Sequence, residues 1–182
     1  MKEKLDSIEQ QVSGGRDTAG PPLHLWDPPL SGDIDIRIAA DGAWFHEGTK
    51  IERDALVRLF ASILRREDDG SYYLVTPVEK WRIQVELHPL IVTDVNEVAN
   101  GEEAALNAIL NTGKLVEIDA EHGLFLEAAV GGVAVLGLDH GLSALFSRPA
   151  WYRLVEMAEE VEGRTQVSSR GVSFDLTAPD TP

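Results

Sequence analysis

The sequence contains no cysteine. Disulfide bonds, thiolate nucleophiles and thiolate metal sites are therefore excluded. It has no uninterrupted apolar run near the roughly 20 residues that a membrane span needs. Residues 1–11 are charged and polar, with no apolar centre, so they do not read as a secretion signal. The expected location is the cytoplasm. Basic residues are scarce: 16 Lys and Arg stand against 31 Asp and Glu, a formal charge of −15. A protein that coats nucleic acid displaces counterions with clustered basic side chains, so bulk nucleic-acid binding is not expected. The five histidines show no His-Glu-x-x-His spacing. There is no glycine-rich phosphate loop and no Gly-x-Ser-x-Gly elbow. These motifs give no cofactor, no metal site and no catalytic residue, and leave enzymatic activity without support.

What is present is an ordinary globular composition, 182 residues of which 43% are hydrophobic. That length suffices for one domain or two small ones. The charge is uneven. Residues 50–82 hold seven basic side chains (Lys50, Arg53, Arg58, Arg65, Arg66, Lys80, Arg82) and six acidic ones (Glu52, Asp54, Glu67, Asp68, Asp69, Glu79), a balance of +1. The remainder holds 9 basic and 25 acidic residues, or −16. Such an island suits a small anion; surface ion pairs of little energetic weight are the plainer account.

Residues 1–22 read as a flexible arm with one or two helical turns near the start. Trp26, just before Pro28-Pro29, reads as part of an extended piece with its ring pinned on the core. Ile34, Ile36 and Ile38 alternate with Asp33, Asp35 and Arg37 as in a half-buried strand. Asp41-Gly42 signals a hairpin, with residues 43–46 returning. Thr49 and Glu52 have capping-box spacing. Leu56, Val57, Phe60, Ile63 and Leu64 then recur at helical spacing, which predicts a helix running through Arg65 and Arg66 to a stop at Asp68-Asp69-Gly70. On that helix Arg58 and Arg65 share an exposed face. Residues 72–76, 80–86 and 90–95 read as strands. Residues 104–111 fit helix or strand, and the alternation of Leu106, Ala108 and Leu110 favours strand. Residues 114–119 and 124–129 are expected to pair around a turn at 121–123. Residues 133–138 form another strand. A last helix over 141–160 is capped by Asp139 and kinked or split by Pro149. Residues 162–182 read as a polar, weakly ordered tail with a strand around 172–176. A unit of strands followed by a helix recurs at 33–66 and 114–160, which suggests duplication by element order alone.

The run Asp41-Gly42-x-Trp44-Phe45-His46-Glu47-Gly48 continues through Ile51, Arg53, Leu56-Val57-x-Leu59-Phe60 and Ile63-Leu64-Arg65-Arg66-Glu67-Asp68-Asp69-Gly70 to Tyr73-Leu74-Val75-Thr76-Pro77-Val78-Glu79-Lys80-Trp81. With Pro28-Pro29 and Gly32-Asp33-Ile34-Asp35-Ile36, it resembles the bacterial domain-of-unknown-function family 1285 (DUF1285), specifically over residues 23–92 and loosely over 93–160. The resemblance implies an α+β fold of repeated strand and helix units with a largely antiparallel sheet. It also implies a second half similar to a pleckstrin-homology-like barrel closed by a helix. A subdomain at 23–89, a β-rich subdomain at 90–161 and the tail follow. The resemblance further implies a ligand site between the halves for a nucleotide-like molecule, and a role in signalling.

Nine side chains are candidates for that site: Trp44, His46, Glu47, Arg58, Arg65, Arg66, Glu79, Lys80 and Trp81. Trp44 or Trp81 can stack a base, and Arg58, Arg65, Arg66 and Lys80 can hold a phosphate. Against this, Trp81 also fits a core position, Glu79 an ion pair, and the two arginines a helix C-terminus, where cations are favoured anyway. His46 beside Glu47 offers an acid–base pair only if the chain turns at Glu47, since neighbouring strand residues face opposite ways. Asp33 and Asp35 share a strand face, as two ligands of a divalent cation would, but no third ligand is evident. The expected function is a non-enzymatic cytoplasmic ligand-binding or regulatory module taking a small anionic, nucleotide-like molecule. The alternatives are an adaptor for another protein, acting through the closing helix around Trp151-Tyr152, and last a metal-dependent hydrolase.

Overall fold

Alternation makes the first strand: Ile34, Ile36 and Ile38 are buried along β1 (Leu30–Ile38), and Asp33 and Asp35 are exposed. In the computed structural model, which describes residues 2–12, 20–100 and 103–177, the chain divides into two units. The first is Met1–Pro89 with His140–Leu142; the second is Leu90–Asp139 with Ser143–Pro182.

In the first unit β1 turns at Asp41-Gly42 into β2 (Trp44–His46), with the Asp41 carboxylate accepting the Ala43 N–H at 2.9 Å. β2 turns again into β3 (Thr49–Lys50), pairing His46 with Thr49. The two loop residues, Glu47 and Gly48, have φ of 49° and 75°, as two-residue hairpins of the primed type require. This hairpin takes Thr49 away from its expected capping role. Helix α1 (Lys2–Val12) precedes the sheet and buries Ile8. Helix α2 (Asp54–Ser62) starts five residues beyond Thr49 with no side-chain cap, and buries Leu56 and Phe60. It ends at Ile63, and the chain continues as a strand: β4 (Leu64–Arg66), β5 (Tyr72–Val75) and β6 (Lys80–Val85). Arg65 and Arg66 are therefore on an edge strand, not on the exposed face of a helix with Arg58. Asp68-Asp69-Gly70 turns a hairpin between β4 and β5 instead of stopping a helix.

The six strands are ordered β3-β2-β1-β6-β5-β4. The central pair, β1 and β6, is parallel, and every other pair is antiparallel. The second unit repeats this plan. β7 (Leu90–Asn100), β8 (Glu103–Leu110) and β9 (Leu115–Ile118) run outward from the centre. β10 (Leu124–Glu127), β11 (Val133–Gly137) and β12 (Ser143–Phe146) run inward from the other edge, so that β12 meets β7 in parallel. The order β9-β8-β7-β12-β11-β10 matches the first sheet strand for strand. The duplication is thus real, but the repeating units span residues 30–85 and 90–146. The expected pairing of 114–119 with 124–129 does not form: β9 and β10 are opposite edges of an open sheet.

Residues 103–110 are a strand, as the alternation favoured. The last helix is shorter than expected. Asp139 opens a 3-10 turn (Asp139–Gly141), residues 143–146 are strand, and α3 (Arg148–Glu156) follows. Ser147 caps α3 by accepting the Ala150 N–H at 3.4 Å. Pro149 lies in the first turn of α3, where its missing N–H costs nothing, so it starts the helix instead of kinking it. α3 packs on β7 and β12, burying Ala150 and Leu154.

The expected tail is a third sheet over most of its length: β13 (Glu159–Val161), β14 (Arg164–Ser169) and β15 (Val172–Asp175). Buried Ser169 ties it to the larger sheet, accepting the Leu106 N–H at 2.8 Å and donating to the Ile118 carbonyl at 2.5 Å. Residues 178–182 and part of the arm, 13–19, lie outside the described residues.

Two substitutions test these joints. Ser169→Ala strands the buried Leu106 N–H and should cost about 1–3 kcal/mol in chemical unfolding. Gly141 has φ of 70°, and a Cβ there would lie 3.0 Å from the Arg66 carbonyl oxygen. Gly141→Val should therefore cost about 2 kcal/mol or more by the same measurement; an unchanged midpoint in either variant would refute the corresponding joint.

Candidate functional site

Prolines flank a short irregular segment before β1. Its 3-10 turn, Leu23–Leu25, puts Leu23 in the core and leaves His24 exposed and Trp26 half-buried. Arg65 on edge strand β4 holds this segment. Its Nη1 donates to the carbonyls of Trp26 at 2.8 Å and Leu23 at 3.3 Å, and its Nη2 donates to Glu67 at 2.5 Å. Lys80 reaches the same carboxylate from β6, with Nζ 3.1 and 3.0 Å from the two Glu67 oxygens and 5.1 Å from the centre of the Tyr73 ring. Tyr73 Oη in turn donates to Asp69 at 2.6 Å, and Asp69 also accepts the Ser71 N–H at 2.8 Å.

Three side chains thus share one buried-edge cluster, with Lys80 14%, Arg65 16% and Glu67 26% exposed. Burial works against the Glu67 carboxylate. The hydrogen bonds and charges of Arg65 and Lys80 outweigh it, so its pKa lies below the ordinary glutamate value. The Tyr73 hydrogen bond, with that of Ser71, likewise lowers Asp69, and Asp69 raises Tyr73.

Between the 3-10 segment and the β4–β5 turn lies a groove of about 630 Å³, lined by His24, Trp26, Asp27 and residues 65–69. Every lining residue belongs to the first unit. Two of the nine expected site residues line it, Arg65 and Arg66; a third, Lys80, joins through Glu67. Arg66 is exposed, with Nε 3.3 Å from the Gly70 carbonyl and its guanidinium 5.6 Å above the Tyr72 ring.

The others are elsewhere. Trp44 is a core residue, 1% exposed and 6.2 Å from Phe60 between ring centres, so it offers no face to a ligand. His46 is half-buried on β2, and Glu47 is at the exposed hairpin turn. Arg58 is exposed on α2. Glu79 accepts the Trp81 indole N–H at 3.0 Å, and Trp81 packs over Gly32. Asp33 is held by Arg82 at 2.6 and 3.1 Å. No group of three or more His, Asp or Glu among the described residues is placed to hold a metal ion. No described helix is long and apolar enough to cross a membrane.

Sequence reasoning missed His24, Asp27, Glu67, Asp68 and Asp69 as groove residues. Asp68 and Asp69 were legible only as a chain stop. For Trp26 the flanking prolines were a usable sign, since they mark a rigid piece carrying a large ring.

Two α+β units of mostly β structure, each with the same six-strand plan, define a duplicated two-domain protein of strand-rich class. The model of the DUF1285 N-terminal domain matches residues 21–87, and that of the DUF1285 C-terminal domain, a protein of unknown function, matches residues 89–176. The chain belongs to the DUF1285 family. It is similar to the crystal structure of a DUF1285 family protein from Silicibacter pomeroyi DSS-3, with 36% identity over 94% of each chain and a TM-score of 0.83. It is also similar to one from Shewanella baltica OS155, with 34% identity over 66% of this chain and 90% of that one and a TM-score of 0.56. No curated protein matches it.

The cluster sets an acid response. Glu67 has a folded pKa below its unfolded one, so its contribution is complete above the unfolded value of about 4.3 and is lost as pH falls through the folded value. Urea midpoints measured from pH 6 down to 3 should fall less steeply in Glu67→Gln than in the wild type. Parallel curves would refute the assignment.

Proposed function

We propose that this protein is a non-enzymatic binding module with a regulatory, signalling role, and that its first unit takes a small ligand in the groove beside Arg65. The observation that carries this is the clamp on Trp26. Arg65 fixes the backbone of the segment that bears the ring, so the aromatic wall is in place before a ligand arrives, and ordering it costs the complex little. The hydrolase alternative is weaker. Asp33, one of its expected acidic groups, is already bound through both carboxylate oxygens by Arg82.

A cytoplasmic setting is part of the same proposal. So is the likeness of the second unit to a pleckstrin-homology-like barrel closed by a helix. The packing of α3 on β7 and β12 supports that likeness, and the open edges β9 and β10 weigh against it. A second reading, the adaptor, draws on α3. Tyr152 is 53% and Val155 37% exposed, three residues apart on one face of the helix. If Tyr152→Ser leaves every partner bound at physiological salt, that reading falls.

A thermal-shift screen of small molecules tests the main proposal. A ligand at a hundredfold excess over its Kd should stabilise the wild type by about 2.7 kcal/mol, and Trp26→Ala should abolish the shift while keeping its circular dichroism. Ligands that shift both proteins equally, or a screen without any hit, would defeat it.

A further inference from the structure

The groove's charge is opposite to that expected of an anion site. Of the four cations expected to hold a phosphate, Arg58 is on α2 outside the groove. Arg65 has two nitrogens committed to two carbonyls and Glu67. Lys80 is committed to both oxygens of Glu67. Arg66 remains, held back over Tyr72 and the Gly70 carbonyl. The lining carboxylates are Asp27, Glu67, Asp68 and Asp69, against Arg65 and Arg66: four against two, or −2. Counting Lys80 as well leaves −1. Arg65 and Glu67 neutralise each other directly. Asp69 is occupied by Tyr73 and Ser71. Asp27 and Asp68 are exposed and form no hydrogen bond or ion pair among the described residues. Among the described residues, the groups left to meet a ligand are therefore the Asp27 and Asp68 carboxylates and the half-buried Trp26.

A phosphate placed here meets these carboxylates with one partly engaged arginine to offset them. An ammonium or guanidinium meets the reverse: two carboxylates that gain a partner, and an aromatic face that attracts a cation. We infer that the ligand of this groove is a small molecule with a cationic amine or guanidine head on an apolar or aromatic body, and that a nucleotide is disfavoured. The inference rests on the small-ligand reading of the same groove and names the ligand's charge.

A matched pair of probes separates the two. Tryptamine and indole-3-propionate share an indole body and carry opposite charge; AMP and inorganic phosphate complete the set. By calorimetric titration tryptamine should bind and indole-3-propionate should bind more weakly. The double substitution Asp27→Asn, Asp68→Asn changes two exposed carboxylates and should leave the fold intact. It should weaken tryptamine about three- to tenfold, as expected for two partly screened pairs, and added salt should weaken it in the wild type. Tighter binding of AMP, phosphate or indole-3-propionate, or an unchanged tryptamine affinity in the double variant, overturns the cationic assignment. If those anions bind and Trp26→Ala abolishes their binding, the groove remains a ligand site and only the charge is wrong. If neither class binds, both readings fall.

Discussion

In each six-stranded sheet the first strand lies beside the last and parallel to it, and the remaining strands depend on that pairing. β1 and β6 meet with Leu30 opposite Lys80, 50 residues away along the chain. β7 and β12 meet with Leu90 opposite Ala144, 54 residues away. Closing a loop of that length costs about 3.5 kcal/mol in chain entropy before any contact is gained. The β1–β6 pair recovers this by burying the isoleucine face of β1, with Ile36 and Ile38 fully enclosed. The outer strands then need only short hairpins. Without the central pair, each sheet would be two separate three-stranded meanders.

The groove follows from the same arrangement. β6 stands at the centre, so Lys80 can reach across Tyr73 to Glu67 near the far edge. That reach neutralises the carboxylate which Arg65 also needs, and Arg65 in turn holds the Leu23–Trp26 backbone. Two of the cations that make the region look like an anion site, Arg65 and Lys80, are thus structural struts. The surface they leave behind is acidic and aromatic.

Local signals were legible where local physics decides. Alternating isoleucines announced β1, and Asp41-Gly42 announced its turn. The stripe Leu56, Phe60, Ile63, Leu64 announced α2 but overstated its length. Ile63 and Leu64 fit the helical period, yet Leu64 is opposite Leu74 in a strand pair, and nothing within five residues distinguishes the two fates. Pro149 was read as a break because its position relative to the cap was unknown; Ser147 just before it makes it a first-turn residue. The parallel pairing of first and last strands left no trace in the sequence, since it joins residues 50 apart. Because that pairing sets the repeat, the duplication was recognised in the wrong register. For the site, residue types pointed to cations, but charge depends on partners, and Glu67 showed no sign of holding two of them.

His140–Leu142 belongs to the first unit although the chain reaches it only after building most of the second. During synthesis the first sheet has all six strands once Val85 has emerged. Leu142 follows 57 residues later, a delay of about 3–11 s at roughly 5–20 residues per second. Through that interval the backbone of Arg66 lacks the glycine that later lies against it. The nascent N-terminal unit therefore spends its first seconds without the segment that later lies against its edge strand at Arg66.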